Sequence, residues 1–408
     1  MTHHYDIAII GGGIAGASFL NLAKKTGLSV CLIEQQSKLG GIVDTFYSDK
    51  AEDFWVESGA HTIYNSYGHL IDLFDDFALD NEIQPRAKLP FKLWLAHEKA
   101  RPILTGINPI RAGAGLLLYR LKNAKGQSVK NHFSTVFGHK NYRKTLKYCF
   151  DAVLCQNADD FPAEFLFQKR PRNKNYPRSF TFKKGLQRLF TRLSTQHHDV
   201  IYCNHSIERL DRNENGCWQL QSPQDLFVAK NLVIATPWHV TQALLQSIEH
   251  PIAQLPYQPE RSDFSTLSVI LDKRKAANLP EVSGLIGIDT DFYSQVTRDI
   301  IEHPYFRGFS LHYKSARLDT SKALKHALSQ FSIPPEAVID FKFKTQTLPR
   351  YHTEHPLFLS QLDQHLKNQS LYLTGNYFTR LAMEDCVLRS QREFKRLYQK
   401  ILSNNAHL

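Results

Sequence analysis

The chain has 408 residues, 42% of them hydrophobic and 22% charged, with a net charge of +11; that length exceeds one hydrophobic core and implies about two domains. No stretch stays apolar over the ~18 residues a spanning helix needs, which excludes a transmembrane span. The six cysteines are scattered, with neither a C-x-x-C pair nor zinc-ligand spacing, which excludes a disulfide framework and points to a reducing, cytoplasmic compartment.

The first element is YDIAII (Tyr5–Ile10), a short apolar run of the kind that forms a buried parallel strand. It runs straight into glycines and lacks the pattern of a signal peptide. Gly11, Gly13 and Gly16 form G-x-G-x-x-G, and a helical segment follows with Ala17, Leu20, Leu22 and Ala23 on its packed face. LSVCLIE then reads as a second strand ending at Glu34. Gly11 permits the tight turn, Gly13 lets backbone approach a pyrophosphate, and Gly16 lets the helix pack on the sheet. The helix N-terminus stabilises the phosphate charge. Glu34 suits a ribose 2′-hydroxyl and disfavours a 2′-phosphate. Strand, glycines, helix, strand and acid in register predict a dinucleotide site, with NAD and FAD both open at this point.

Gly40 and Gly41 follow Glu34 closely, and FWVESGAHTIY spans Phe54–Tyr64. LPFKLWLAHEKARPIL offers Phe91, Lys92 and Trp94 as aromatic walls with a cation. Arg101–Gly126 is apolar between basic residues and too short to span; it reads as a buried helix with a channel wall. Val129–Cys155 is helical in pattern. Gln168–Arg188 is basic with interleaved aromatics, a pattern nucleic-acid binding would use, but its prolines and asparagines predict a solvated loop, and no nucleic-acid partner is expected. NHSIERLDRNENGCWQL and KNLVIATPWHV read as a hairpin and a strand. FSTLSVILD, FRGFSLHY and VIDFKFKTQTLPRY read as strands of an antiparallel sheet. The C-terminus, LYLTGNYFTRLAMEDCVLRSQREFKRLYQKIL, is a strand, a turn and a long helix. No G-x-S-x-G occurs and no metal constellation emerges from the histidines, so no catalytic side chain is assigned and the chemistry is left to a cofactor.

Taken in order, these segments resemble the FAD-dependent oxidases of the amine oxidase, phytoene desaturase and protoporphyrinogen oxidase group, with protoporphyrinogen oxidase the nearest resemblance. The resemblance implies an α/β plus α+β architecture. A Rossmann-type FAD-binding domain, a parallel sheet discontinuous in sequence, would comprise 1–85, 200–245 and 366–408. A mixed antiparallel-sheet and helical substrate domain would comprise a helical region, 86–199, and a sheet region, 246–365. The resemblance assigns Gly11, Gly13 and Gly16 to the pyrophosphate, Glu34 to the adenosine ribose, and Gly40 and Gly41 to the diphosphate. It brings Glu57, Gly59, Ala60 and His61 to the flavin side and Ile207 to the adenine. Gly375, Asn376, Asp385 and Cys386 would frame the ribityl chain and isoalloxazine, with Asp385 most simply an N-cap and Cys386 a small packed residue. The family has glycines where this chain has Arg380 and Ala382, proline where it has Glu384, and a further glycine where it has Ser390. The implied substrate is a porphyrinogen-like small molecule, with Lys92 facing a propionate beside Phe91 and Trp94. Flavin amine oxidase, carotenoid-type desaturase and a flavin- or porphyrin-binding protein with little turnover are the alternatives. In a protoporphyrinogen oxidase, Leu116, Leu117 and Leu118 would dip into the inner face of a membrane, with Lys and Arg at the headgroups.

Overall fold

The computed structural model describes residues 1–95 and 100–405. Its first sheet is built on Thr2–Ile10, which pairs in parallel with Val30–Ile33 on one side and Leu226–Ile234 on the other. Ile201–Tyr202 extends the parallel set beyond Val30–Ile33. The long strand Leu226–Ile234 is shared along its length. Its first half pairs with antiparallel Trp218–Gln221, which in turn pairs with Arg209–Arg212, while its second half pairs in parallel with Leu371–Leu373. The near-continuous apolar sequences of the central strands follow from burial on both faces. Ile7 and Ile9 pack with Leu20 of the helix Ile14–Lys24 and Val387 of the helix Met383–Asn405, while Ala8 and Ile10 enter a second core with Trp238 and Phe358.

The second sheet has seven strands in the order Val338–Arg350, Glu260–Asp272, Phe306–Tyr313, Phe292–Thr297, Gly284–Ile288, Phe91–Leu95 and Arg101–Pro102. Its two faces differ. Leu267, Val269, Phe309 and Leu311 pack on the helix Thr320–Gln330. The alternate residues Thr266, Ser268, Ser310 and His312 turn to the dinucleotide half, as the period of two requires.

Three segments pack differently from the division read in the sequence. The segment placed in the 86–199 region contributes Phe180 and Phe182 of Ser179–Phe182, and Leu189, Phe190 and Leu193 of Gln187–Gln196, to the core around Ile7 and Ile9. The alternation of Ser179–Phe182 buries both phenylalanines there. At the other end of that region, Phe91–Leu95 joins the second sheet through parallel pairing with Gly284–Ile288. The helix His355–Leu366, placed in the sheet region, packs Phe358 and Leu362 against Trp238 of the dinucleotide half.

Candidate functional site

The carboxyl ends of the parallel strands form one rim, the place where open α/β sheets hold ligands. The turn after Thr2–Ile10 brings Gly11 to φ +103°, where a Cβ would stand 2.9 Å from the Ala235 carbonyl oxygen. A Cβ on Gly16 would lie 1.9 Å from the Gly11 carbonyl oxygen, so the helix Ile14–Lys24 sits against the turn only because Gly16 has no side chain. Gly13 is different. Its φ is −70°, it is the N-cap of that helix, and a Cβ there would meet nothing within 4 Å. The helix starts with no side-chain cap and no acid in its first turn. Its first amides thus have no side-chain acceptor at a positive dipole end, which is the chemistry of a diphosphate cradle.

Glu34 is fixed at the same rim, where its carboxylate accepts from the Gly12 amide at 2.6 Å and the Gln36 amide at 2.8 Å. The chain from Tyr202 returns beside it: the Glu34 amide donates to the Tyr202 carbonyl, and the His205 amide to the Glu34 carbonyl. Ile207 follows two residues on and packs at the edge of the second core. Gly40 lies against the glycine turn, with its amide donating to the Gly12 carbonyl at 2.9 Å, and a Cβ on Gly41 would approach the Gly13 Cα to 3.3 Å.

The segment Glu57–His61 runs on from there. The Ser58 amide donates to the Asp44 carbonyl, and a Cβ on Gly59 would stand 1.7 Å from the Ile42 carbonyl oxygen. Ala60 packs on the dinucleotide core. The Glu57 carboxylate is fully engaged: it accepts from Thr45 Oγ1 at 2.9 Å and from the Leu186 amide at 2.7 Å. Burial pushes its pKa up to about 7. Glu57 therefore ties the strand Trp55–Glu57 to the turn before Gln187–Gln196.

At the far end of the rim, Gly375 at φ +142° and Asn376 follow the strand Leu371–Leu373. The Asn376 carbonyl accepts from the Tyr351 hydroxyl. The helix Met383–Asn405 starts here and is fixed to the first helix by Ser390, whose Oγ donates to the Ala15 carbonyl at 2.9 Å. Asp385 is not used as a cap. Both its oxygens accept from Arg170 Nη2 at 2.8 Å, and Arg380 Nη1 stands 3.7 Å away. Arg170 lies over the Tyr67 ring and Arg380 over the Phe165 ring. Glu384 does the capping, but for another helix: its oxygens accept from the His69 and Leu70 amides at the start of Gly68–Asp76. Cys386 is buried and its thiol is pushed up to about 12, so it packs as a neutral residue.

Between the two halves lies a buried polar layer. His61 Nε2 meets His312 Nε2 at 2.9 Å, and His312 Nδ1 meets Thr266 Oγ1 at 2.9 Å. Gln346 Nε2 donates to Thr266 Oγ1 at 2.6 Å and to the Ser58 carbonyl at 2.8 Å. Ser268 Oγ bonds both Ser58 Oγ and Ser310 Oγ at 2.8 Å. Burial, with Lys344 nearby, pushes His312 down to about 4 and holds His61 well below its usual value. Both imidazoles are therefore neutral near pH 7. Beside them Asp44 accepts from Lys38, Lys342 and Lys344 at 2.9, 2.7 and 3.0 Å.

The register separates the three residues expected to contact substrate. Phe91 and Leu93 share the rows of Gly284, Val296 and Ser310 and of Ile286, Ser294 and His312, on the face turned to the dinucleotide half. Lys92 and Trp94 alternate to the other face, where Trp94 packs on Phe331 and its neighbours. Lys92 therefore stands on the face away from the dinucleotide half. Of the basic stretch 168–188, residues 171–175 are exposed as a loop, whereas Arg170 turns in to Asp385. Sequence reading passed over His312, Thr266, Ser310 and Gln346. The signal was present as polar residues alternating with Phe309 and Leu311 in an otherwise buried strand. Among the described residues no group of three or more His, Cys, Asp or Glu is placed to hold a metal.

Comparison with known proteins agrees with this construction. The family described as NAD(P)-binding Rossmann-like domain matches residues 9–77. A candidate flavin-containing monoamine oxidase A of Dictyostelium discoideum is 29% identical over 79 residues, 19% of this chain and 17% of that protein. The chloroplastic/chromoplastic 15-cis-phytoene desaturase of Narcissus pseudonarcissus is 28% identical over 79 residues, 19% of this chain and 14% of that protein. The matches thus span less than a fifth of these curated relatives. The crystal structure of a candidate protoporphyrinogen oxidase from Exiguobacterium sp. 255-15 superposes with a TM-score of 0.79 at 14% identity, covering 98% of this chain and 99% of that one. The fold is shared with that structure: a Rossmann-type domain joined to a mixed-sheet and helical domain.

Proposed function

We propose that this chain is an FAD-dependent oxidoreductase acting on a small organic substrate, with a protoporphyrinogen-like compound as the best-supported substrate. One observation carries the reading: the glycine cradle of the first helix and the start of the last helix meet along a single strand-end rim. An open diphosphate slot at Gly13, an acid at Glu34, and a second helix N-terminus beyond Gly375 suit a dinucleotide long enough to extend past its diphosphate. Gly11, Gly13, Gly16, Gly40 and Gly41 would hold the diphosphate, Glu34 the ribose and Ile207 the adenine. Gly59, Ala60, His61, Gly375, Asn376, Asp385 and Cys386 would line the redox end. When bound, the flavin supplies the hydride acceptor.

The chain's own residues set the conditions around that end. The N-terminus of Met383–Asn405 presents a positive dipole end, and Arg170 with Arg380 holds the Asp385 carboxylate there. The packed sheet face keeps bulk water away from it. The candidate protoporphyrinogen oxidase superposes on this chain with a TM-score of 0.79, against 0.72 for cyclohexylamine oxidase, and on that ground a porphyrinogen-like substrate is proposed before an amine. The decisive experiment records the visible spectrum of purified protein with added FAD, then adds protoporphyrinogen or benzylamine anaerobically. Bleaching of the flavin band by the porphyrinogen alone is expected. Bleaching by the amine alone overturns the substrate assignment, and a protein that takes up no FAD overturns the cofactor.

A second part of the reading concerns placement. Leu104, Ile110 and Leu117 are 78%, 84% and 71% exposed, and Ile110 and Leu117 share a stripe of the helix Pro109–Leu121 whose opposite side seats Gly115 on Phe137. Leu116 is exposed as well, and the Leu118 side chain lies outside the described residues. No helix is long and apolar enough to cross a membrane among the described residues. Arg111, Lys122 and Lys125 are exposed around this helix, and the combination fits a protein resting on an anionic membrane surface.

A further inference from the structure

The polar layer between the halves has a direction, set by which of its atoms can only accept. Gln346 Nε2 donates to the Ser58 carbonyl at 2.8 Å, and a carbonyl oxygen carries no proton, so the orientation of the amide is fixed. The same nitrogen donates to Thr266 Oγ1 at 2.6 Å. Thr266 is fully buried, and its hydroxyl meets one further polar atom among the described residues, His312 Nδ1 at 2.9 Å. Having accepted from Gln346, the hydroxyl gives its single proton to His312 Nδ1. The opposite arrangement would leave a buried O–H with no acceptor, which is costly. His312 Nδ1 is thus an acceptor, and the proton of that neutral ring sits on Nε2. It points at His61 Nε2, 2.9 Å away, which must accept. His61 therefore carries its own proton on Nδ1.

Ser58, Gln346, Thr266 and His312 are buried, and the chain of bonds ends at His61, which is partly exposed. His61 Nδ1 has no partner among the described residues and is not one of the buried unpaired atoms, so it opens to the accessible side. A second proton on either ring is opposed by burial and by the positive charges of Lys344 and Arg86. Run the other way, the same chain would leave a lone pair at His61 Nδ1, and the accessible atom would be a base. We infer that Gln346, Thr266 and His312 are positioning residues that fix His61 as a neutral N–H donor toward an acceptor atom, a carbonyl oxygen or an unprotonated ring nitrogen, of a ring bound between the halves. This rests on the flavoenzyme reading for the identity of that ring, whereas the tautomer does not depend on it. A donor so fixed can hold a ring in place or stabilise charge on its acceptor atom, but it cannot take a proton from a substrate without reversing the whole chain.

Histidine-selective nitrogen-15 labelling of the full chain reads the tautomers by NMR, with His61→Asn and His312→Asn identifying the two rings by the signals they remove. Unliganded wild type should show His61 in the Nδ1–H form, the minor form of a free imidazole, and His312 in the Nε2–H form. Thr266→Val, which keeps the shape without the hydroxyl, should release both rings to mixed tautomers, and Thr266→Ser should restore the wild-type pattern. His61 in the Nε2–H form overturns the inference, and so does an unchanged pattern in Thr266→Val. If Thr266→Val does not fold, the wild-type spectrum still decides the direction. The acceptor is read by adding FAD and then protoporphyrin while following the His61 Nδ1 signal. A shift on FAD loading supports the donor role with the acceptor on the cofactor. His61→Leu should then weaken FAD binding about fivefold, and His61→Asn, whose amide keeps a donor near the Nδ1 position, should retain most of it. A shift with protoporphyrin alone supports the donor role with the acceptor on the substrate. No shift with either overturns that role. Failure to take up FAD appears in the flavin absorbance and counts against the flavoenzyme reading, while the tautomer of the unliganded chain is decided independently.

Discussion

Alanine at Gly13 and alanine at Gly16 should separate a glycine that serves a ligand from one that serves the fold. At Gly16 the new Cβ would stand 1.9 Å from the Gly11 carbonyl oxygen, a backbone atom that no rotamer change can move aside. Sheet and helix must separate locally, so we expect a loss of at least about 3 kcal/mol, at the upper end of overpacking costs. At Gly13 the Cβ meets nothing within 4 Å, and φ is an ordinary −70°. There the gain of about 0.4–1 kcal/mol from a stiffer unfolded chain is offset by the poorer capping of alanine, and stability should stay within about 1 kcal/mol of wild type. The methyl group instead occupies the space where the backbone would approach a diphosphate. FAD affinity should fall tenfold or more, at least about 1.4 kcal/mol. Melting of the flavin-free proteins and quenching of FAD fluorescence on titration measure the two quantities. Wild-type FAD affinity in Gly13→Ala refutes the assignment of that space to the diphosphate. Equal destabilisation by both substitutions refutes the division of roles.

Removing the Glu384 carboxylate with Glu384→Ala leaves the His69 and Leu70 amides without their acceptors, which should cost about 1–2 kcal/mol in chemical denaturation. The His312 pKa, held near 4 against an ordinary 6.5, makes the neutral form part of the folded state. Its contribution is fully present above pH 6.5 and is lost as pH falls toward 4, about 3 kcal/mol in all. Glu57, raised to about 7 from 4.5, acts oppositely and costs stability as pH rises across that window. Subtracting the stability–pH curve of His312→Gln from that of wild type isolates the histidine; a flat difference between pH 4 and 6.5 would refute a neutral buried pair. Ile110→Ser with Leu117→Ser should abolish co-sedimentation with phosphatidylserine vesicles while leaving the melting temperature unchanged, because both side chains face outward.

What could be read in the sequence was local. Gly11, Gly13, Gly16 and Glu34 act through the turn, helix and strand that contain them, so spacing alone placed them. Gly40, Gly59 and Gly375 were legible as a succession of motifs, although the contacts that explain them run to Gly12, Ile42 and Tyr377. His312 could not be placed, since its partner His61 lies 251 residues away and the two meet only when the sheets assemble. Lys92 shows the same limit from the other side. A cation between Phe91 and Trp94 looks like a binding residue, but its face is set by the register with Leu285, which a single strand does not carry. Arg170 sat in what reads as a solvated basic loop, and its bond to Asp385 and its place over the Tyr67 ring distinguish it from the exposed Arg172.

The C-terminal departures acquire a physical meaning from these contacts. A proline at position 384 would carry no carboxylate, and the helix Gly68–Asp76 would start uncapped. Glu384 joins that helix to the start of the last one, and so joins the segment after His61 to Asp385. A glycine at 380 would leave Asp385 with Arg170 as its one cationic partner in the described contacts. Arg380 adds a second guanidinium, whose buried Nε has no acceptor. The first turn of the long helix thus holds two carboxylates, Glu384 and Asp385, against the two guanidiniums of Arg170 and Arg380. Residues 380 and 384 therefore act through Asp385 and through the supporting helix Gly68–Asp76: one adds a second guanidinium to the carboxylate, and the other ties the two helix starts together.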